Sequence, residues 1–143
     1  FADGKQSGIY VWENGRGTVE RCRVTGNALA GIEVKQGGEP VVRECTFADG
    51  KGTGIYVYEN GRGTFEGCTV TGNAYAGIAV QLGGDPVVRE CTIARNRDHG
   101  VAVWATGRGT ITGCTLSGNA PGEWWVEAGA WGARRNNRPD ALR

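Results

Sequence analysis

Apolar side chains recur at five fixed places in every 23 residues of the chain, and four of them form pairs spaced two apart. The five series are Ile9, Ile32, Ile55, Ile78 and Val101; Val11, Val34, Val57, Val80 and Val103; Val19, Val42, Phe65, Val88 and Ile111; Cys22, Cys45, Cys68, Cys91 and Cys114; and Val24, Phe47, Val70, Ile93 and Leu116. A spacing of two is typical of strands with one buried face, and no helical stripe of apolar residues occurs within the repeat. The pattern therefore predicts an all-β fold with three short strands in each unit.

Turn residues separate these strands and divide the chain into repeated coils. The sequences NGRG or GGEP follow the first strand, and asparagine follows the last strand in most units: Asn27, Asn73, Asn96 and Asn119. Asparagine tolerates left-handed backbone, and its side chain can bond neighbouring amides when it is stacked. A coil of 23 residues is too small to fold alone, so stability must come from stacking on neighbouring coils.

Charged residues add a second period of 46 residues. The two alternating series are Arg16, Glu39, Arg62, Asp85 and Arg108, and Glu20, Arg43, Glu66, Arg89 and Thr112. Stacked strands lie about 4.8 Å apart, so opposite charges in successive coils attract. A slip of one coil would bring like charges together, and the pattern therefore predicts a fixed register. Duplication of a two-coil unit is a compatible explanation of the same pattern.

The motif G-I-x-V, a turn, and V-x-x-C-x-V-x-x-N resembles the right-handed β-helix repeat family, the pectate-lyase-like superfamily. The resemblance covers about residues 1–126 and implies a right-handed parallel β-helix solenoid. That superfamily includes polysaccharide lyases, hydrolases, epimerases and non-catalytic binding modules, so the repeat implies no particular activity. Leucine-rich repeats have a similar period but need a leucine core, and this chain has four leucines: Leu29, Leu82, Leu116 and Leu142.

The repeat pattern suggests β-helix coils over residues 1–126, with the first coil truncated, and a C-terminal cap and mobile tail over 127–143. Trp124 and Val126 occupy the positions of the first two apolar series, whereas Ala133 to Arg143 fits no strand pattern. We expect Trp124 or Trp131 to plug the end of the core, because an open coil is an unpaired strand edge.

The remaining terminal features suggest a solvated tail and an open first coil. The arginine cluster from Arg134 onward reads as solvated chain rather than a binding arm. At the other end no cap is visible in the sequence, and core residues such as Ile9 would be exposed. Two hypotheses follow: end-to-end pairing of two copies, giving a homo-oligomer, or coverage by a further part of a longer protein.

The net charge and the cysteine spacing limit which partners and which metal or disulfide chemistry the protein can have. The 143 residues carry a formal net charge of +1, which does not favour nucleic acid or an anionic membrane as a partner. The five cysteines would stack about 4.8 Å apart, whereas a disulfide needs Cβ atoms about 3.5–4.5 Å apart and zinc needs four converging ligands. We therefore expect a ladder of buried thiols, with no metal and no cofactor. Unpaired buried thiols slightly favour a cytoplasmic, reducing compartment, and the localisation otherwise stays open.

The outward positions of the first strand are the best candidates for binding. They carry aromatic pairs on alternate coils, about 9–10 Å apart, and the candidate binding residues are Tyr10, Trp12, Glu33, Lys35, Tyr56, Tyr58 and Trp104. Such rings could bind a polysaccharide or the apolar surface of a protein partner. The alternative is that these aromatic residues only favour strands and cover small neighbours. In the superfamily that the repeat resembles, this face commonly carries a polysaccharide cleft.

No residue is assigned a catalytic role. Glu13 and Glu59 lie two coils apart, near the upper end of the separation in inverting glycosidases, but the repeat itself sets that distance. Lyases of the superfamily cluster acidic residues for Ca²⁺ with an Arg or Lys base, whereas the matching positions here hold Gln36, Leu82 and Ala105.

The sequence therefore favours a non-catalytic scaffold or binding module. The single histidine, His99, is most simply a surface residue in a turn. The alternative is a fragment of a carbohydrate-active enzyme, a polysaccharide lyase or a glycoside hydrolase, with Glu13, Glu33 or Glu59 as acids.

Overall fold

The computed structural model describes residues 1–130 and 132–139 and shows seventeen short strands in that part of the chain, with no helix. The strands are β1 (Ile9–Val11), β2 (Arg16–Glu20), β3 (Arg23–Thr25), β4 (Ile32–Val34), β5 (Glu39–Arg43), β6 (Thr46–Ala48), β7 (Ile55–Val57), β8 (Thr64–Glu66), β9 (Thr69–Thr71), β10 (Ile78–Val80), β11 (Val87–Arg89), β12 (Thr92–Ala94), β13 (Val101–Val103), β14 (Thr110–Thr112), β15 (Thr115–Ser117), β16 (Trp124–Val126) and β17 (Ala133–Arg135). Within the described residues there is also no helix long and apolar enough to cross a lipid bilayer.

Three parallel sheets run along the axis of the solenoid. Sheet one has the order β1-β4-β7-β10-β13-β16, sheet two β2-β5-β8-β11-β14-β17, and sheet three β3-β6-β9-β12-β15. Each of the first five coils contributes one strand to each sheet, and the sixth contributes β16 to sheet one and β17 to sheet two; we number the coils from the N-terminus. Every strand pair joins residues that are 23 apart, as Ile55 and Ile78 show. The predicted coil, its three strands and its register are therefore confirmed.

The five apolar series form one continuous core. In coils two to five their side chains are almost fully buried, including Phe47 and Phe65, the two largest. The cysteines are unpaired, and each of the last four is buried. Cys45 is typical: its Sγ lies 3.5 Å from the carbonyl oxygen of Val19, and burial raises the pKa of the thiol above its usual value. The thiols therefore act as small packing groups inside the solenoid.

A second ladder of buried asparagines stabilises the turn between sheets three and one. Asn96 is 1% exposed, and its Oδ1 accepts from both the backbone N–H and the side-chain amide of Asn73, each at 3.0 Å. Its own Nδ2 donates to Asn119 Oδ1 at 2.8 Å and to the carbonyl oxygen of Val70 at 3.2 Å. Asn96 therefore satisfies buried polar groups of the coil before it, as Asn119 does for Asn96.

The asparagine ladder has one gap, at coil two. Gly50 occupies the asparagine position there, and the side-chain amide nitrogen of Asn27 is consequently buried with no hydrogen-bond partner among the described residues. Asn27 Oδ1 still accepts from the backbone N–H of Gly4 at 2.9 Å. The oxygen of Asn27 is thus hydrogen-bonded, whereas its amide nitrogen is not. Asn27 can therefore serve as a control residue in mutations that test the ladder.

Side-chain size also alternates from coil to coil in the turn after sheet one. Asn14 and Asn60 have φ angles of 62° and 63°, and Gly37 and Gly83 follow them in the next coils with φ angles of 74° and 78°. A Cβ on the glycine of the next coil would lie too close to the side-chain oxygen of each asparagine. Two asparagines in successive coils would therefore require one of these side chains to move. The alternation of size supports the same register as the alternation of charge.

The predicted charge ladder is present on the outward face of sheet two. Arg43 lies between Glu20 and Glu66, with N···O distances of 3.7 Å and 3.5 Å, and Glu66 also contacts Arg89 at 3.8 Å. These side chains are all about half exposed, so each contact contributes about 0–1 kcal/mol. The ladder therefore acts mainly on register.

Replacement of Arg43 by glutamate should lower the free energy of unfolding by about 1–2 kcal/mol, because two attractive contacts become two repulsive ones. The measurement is urea unfolding at low and at high salt. Salt screens exposed charges, so the loss should shrink in about 1 M NaCl. Arg43→Gln is the control and should cost less. A loss that is equal for both variants and independent of salt would contradict an electrostatic ladder.

The strand pattern continues beyond Val126, so the expectation that no strand forms in the segment from Ala133 to Arg143 is wrong for its first three residues. Ala133–Arg135 forms β17, and a bridge joins Thr115 to Arg138. Strand pairing uses backbone groups, and stacking on β14 supplies those partners whatever the side chains are.

Polar residues occupy core positions in this last coil. Arg134 aligns with Ile111 and is partly buried, which lowers the pKa of its guanidinium. Asn137 occupies the cysteine position, where its Oδ1 accepts from the N–H of Cys114 at 2.8 Å and its Nδ2 donates to the carbonyl oxygen of Ile111 at 2.9 Å. Arg134 and Asn137 therefore depart from the expected solvated tail, whereas Arg135 and Arg138 are exposed, and 140–143 lie outside the described residues.

Trp124 lies where the sequence placed it, in register with Val101 at the end of the core. It packs against the core cluster, and its Nε1 donates to the carbonyl oxygen of Pro139 at 2.8 Å. The indole therefore reaches from sheet one to the last described residues. That this arrangement caps the solenoid stays a prediction, and Trp131, the other candidate plug, lies outside the described residues.

Candidate functional site

The described part of the solenoid has one apolar side. Its exposed large hydrophobic residues, apart from Phe1, all lie on the outward face of sheet one or in the turns that border it: Tyr10, Trp12, Leu29, Tyr75, Leu82, Trp104 and Trp125. We call this region the aromatic side. The outward face of sheet two carries the charge ladder, and that of sheet three carries mostly threonine. A concentration of exposed apolar residues on one side marks a candidate binding surface.

Two stacked aromatic pairs stand on coils one and three. Tyr10 and Trp12 have ring centroids 6.0 Å apart and nearly parallel planes, and Tyr56 and Tyr58 are closer, at 4.2 Å. Alternate residues of a strand share one face, which brings each pair together. Each ring therefore has one of its faces turned toward its neighbour on the same strand.

Lys35, on the coil between the two pairs, lies between their rings. Its Nζ is 5.7 Å from the ring centroids of both Tyr10 and Tyr58, a distance at which a cation is attracted to an aromatic face. The same Nζ lies 3.9 Å from a carboxylate oxygen of Glu59. Lys35 thus places one positive charge close to both aromatic pairs.

Glu33 provides the acidic centre of the same cluster. Its Oε1 accepts from the hydroxyl of Tyr58, and its Oε2 accepts from the hydroxyl of Ser7 at 2.6 Å. Gln81, on coil four, donates its side-chain amide to the hydroxyl of Tyr56. The structure therefore brings six of the seven predicted binding residues into one connected group on coils one to three.

The cluster shifts the acid–base behaviour of its members. Burial is the largest cause of the raised pKa of Tyr58, and the hydrogen bond to Glu33 and the charge of that carboxylate add to it. Burial also raises the pKa of Tyr56, helped by the charges of Glu33 and Glu59. The pKa of Lys35 is raised mainly by its hydrogen bond to Tyr10, with smaller contributions from the two glutamates against an opposing effect of burial.

These shifts predict a late step in an alkaline titration. Tyr58 should keep its proton above the ordinary tyrosine value near pH 10, and absorbance near 295 nm should show its ionisation as a late step. Because the unfolded chain loses this proton first, the stability contributed by Tyr58 is complete below about pH 10 and is lost as pH rises further. Tyr58→Phe should reduce the late absorbance change, to which Tyr56 also contributes. If Tyr58→Phe instead removes an absorbance step near pH 10, Tyr58 is not enclosed as described.

Two small pockets border Glu33 on the aromatic side. The larger, about 240 Å³, lies between Leu29 and Tyr75 with Gly52 between them, and Tyr56 also lines it. The second, about 230 Å³, lies on the other side of Leu29, next to Tyr10 and Ser7. Leu29 and Tyr75 were not among the predicted site residues. The sequence feature that could have indicated them is an alternation in the turn before sheet one. Large apolar residues stand there on every second coil, in the series Leu29, Gly52, Tyr75, Asp98.

The seventh predicted residue, Trp104, belongs to a separate place on coils five and six. It lines a pocket of about 290 Å³ with Ala102, Trp125, Asp98 and His99. Ala79 and Ala102 are buried between this pocket and the Tyr56 ring, where they form a small apolar cluster with Ala76. The aromatic side therefore has two centres, separated by a strip of small residues.

The three candidate acids do not face a common pocket. Glu13 is exposed, Glu59 contacts Lys35, and Glu33 has both carboxylate oxygens occupied by hydroxyl groups. Glu33 is the one carboxylate lining the two pockets beside Leu29. Within residues 1–130 and 132–139, no group of three or more His, Cys, Asp or Glu side chains is placed to hold a metal ion.

Comparison with known proteins agrees with this architecture. The family model described as "right handed beta helix region" matches residues 1–137, which includes β17 as well as the coils before it. No curated protein and no solved structure matches the chain significantly. The family match and the parallel three-sheet solenoid together give the fold and its hand, and the chain belongs to the right-handed β-helix family.

Proposed function

We propose that this solenoid is a non-catalytic binding module and that the aromatic side binds a protein partner. The observation that carries the proposal is the concentration of exposed apolar side chains on this side, with Phe1 the exception among the described residues. Charged and hydroxylated residues cover the other two faces, so a partner meets one apolar surface on a rigid scaffold.

The ring geometry supports a protein rather than a polysaccharide as the ligand. A sugar stacks on an open aromatic face, yet in both pairs one face of each ring is turned toward its neighbour. Lys35 Nζ also lies 5.7 Å from the ring centroids of Tyr10 and Tyr58, which leaves less room beside these two rings for a sugar. Apolar side chains of a partner, by contrast, fit pockets of about 230–240 Å³ on either side of Leu29.

The test is selection of binders from a random peptide library displayed on phage. Selected peptides should lose affinity about tenfold or more for the double variant Leu29→Ala/Tyr75→Ala, which removes both walls of the larger pocket. The matched control is Thr92→Ala/Thr115→Ala, two exposed positions on sheet three. It should bind as the parent chain does.

Two outcomes contradict the proposal. Peptides that bind both double variants equally well would show that the aromatic side is not a preferred surface. A glycan array probed with the same proteins is the second arm. Saturable glycan binding that Trp12→Ala abolishes would assign the surface to a polysaccharide instead.

A further inference from the structure

The pocket on coils five and six is a slot between two indoles, with a small residue as its floor. Ala102 is in register with Trp125, and Trp104 lies two residues further along the neighbouring strand. Two residues of strand and one strand spacing separate the Cα atoms of the two tryptophans by roughly 8 Å. The pocket between them has a volume of about 290 Å³, which is enough for a small flat side-chain group. We call this pocket the indole slot.

The polar atoms of the slot are acceptors. Asp98 Oδ1 accepts from the backbone N–H of His99 at 2.7 Å and lies 2.9 Å from His99 Nδ1. A carboxylate at Nδ1 favours the tautomer with the proton on that nitrogen, which leaves Nε2 of the neutral ring as an acceptor. Asp98 Oδ2 has no hydrogen-bond donor among the described residues, and the Asp98 side chain is 46% exposed.

The electrostatics of the slot favour a cation. The faces of the two indoles are the negative parts of their rings, and Asp98 adds a full negative charge at the entrance. Glu127, beside Trp104 on the next coil, adds another and is held in place because its Oε2 accepts from the N–H of Ala105 at 2.9 Å. A ligand for this slot is thus flat, positively charged and a hydrogen-bond donor.

The guanidinium group meets all three requirements. It is planar, carries a permanent positive charge, offers five N–H donors and has no acceptor. It also stacks on aromatic faces, as a compact lysine ammonium does not. We propose that the indole slot binds the guanidinium of an arginine side chain presented by the protein partner. This proposal rests on the proposed function, but it concerns a different pocket from the one beside Leu29.

The test uses Nα-acetyl-arginine amide as the probe and ¹H–¹⁵N spectra of the indole N–H groups. Of the five tryptophans, Trp104 and Trp125 should show saturable shifts. Nα-acetyl-citrulline amide has nearly the same shape without the charge and should bind about tenfold more weakly, since the cation–π and carboxylate contacts are lost. The lysine analogue should fall between the two.

Substitutions assign the binding to the slot. Trp104→Ala should abolish the shift at Trp125, and Asp98→Asn, which keeps the size of the side chain, should weaken binding about fivefold or more. Trp12→Ala on coil one is the matched control and should leave the titration unchanged. Both substituted slot side chains are partly exposed, and a far-ultraviolet spectrum checks that each variant is folded.

Equal affinity for the arginine and citrulline probes would overturn the proposal, as would absence of saturable shifts at Trp104 and Trp125. An unchanged titration in Asp98→Asn would remove the charge argument. These failures are distinguishable from failure of the proposed function. The phage-selected peptides report on Leu29 and Tyr75, so they can bind normally while the indole slot does not take arginine.

Discussion

Replacement of Asn96 by alanine is expected to lower the free energy of unfolding by about 3–5 kcal/mol, measured by urea denaturation. The substitution removes the acceptor of two donors on Asn73 and both donor contacts of the Asn96 amide itself. The backbone N–H of Asn73 is then left buried without a partner, and an unsatisfied buried group adds its desolvation cost to the lost hydrogen bonds.

Asn27→Ala is the matched control, because the same residue type sits at the gap in the ladder. Its amide nitrogen already lacks a partner, and its oxygen accepts a single hydrogen bond from Gly4. Alanine at position 27 removes the unsatisfied amide donor together with the single hydrogen bond from Gly4. The free energy of unfolding should therefore change by no more than about 1 kcal/mol. Equal losses for the two variants would show that side-chain packing, rather than the ladder of hydrogen bonds, stabilises this turn.

Phe65→Ala should have a comparable effect, a loss of about 3–5 kcal/mol in the free energy of unfolding. Phe65 is fully buried in the middle of the core, with coils on both sides to hold the surrounding walls in place. Those walls cannot collapse into the space without disturbing the stacked backbone, so the loss includes a cavity as well as the transfer of the ring.

Phe65→Val gives the graded comparison. Valine is what the neighbouring coils carry at this position, at Val42 and Val88. The backbone therefore accommodates it without strain, and a smaller cavity should cost about 1–2 kcal/mol. A valine variant as unstable as the alanine variant would mean that the ring makes a specific contact that the repeat does not supply.

The fold followed from the sequence because one geometric rule is repeated without interruption. The two-residue spacing of Ile55 and Val57 and the 23-residue spacing between Ile55 and Ile78 together define a strand, a coil and a stacking register. The alternation at Arg43 and Glu66 likewise corresponds to a contact between the two side chains in the structure. Repeats convert spacing in the chain into spacing in space, so local pattern and tertiary structure coincide.

The last coil was misread because the sequence shows side chains and not backbone pairing. Arg134 replaces an apolar core residue, and a strand is not suggested by its neighbours. The template provided by β14 nevertheless pairs Ala133–Arg135 as a strand. Where a neighbouring strand already exists, backbone hydrogen bonds outweigh the preference of three polar or small residues.

The candidate site was predictable in position but not in conformation. Equivalence among repeats placed Tyr10, Lys35 and Tyr58 on one face, and the structure groups them. That aromatic rings stack on each other and enclose a lysine depends on side-chain rotamers, which spacing does not specify. The indole slot was missed for the same reason, since His99 looked like an isolated turn residue until Trp125 was placed beside it.

The most direct test of the account is a set of backbone nuclear Overhauser effects on the intact chain. Strand pairing in steps of 23 residues requires close contacts that link Ala79 to Tyr56 on one side and to Ala102 on the other. We predict these contacts along all three sheets, through to Arg134 opposite Ile111. Contacts offset by one or two residues, or contacts of helical type within a coil, would contradict the stacking, and the aromatic side with its two pocket regions would no longer exist as a surface.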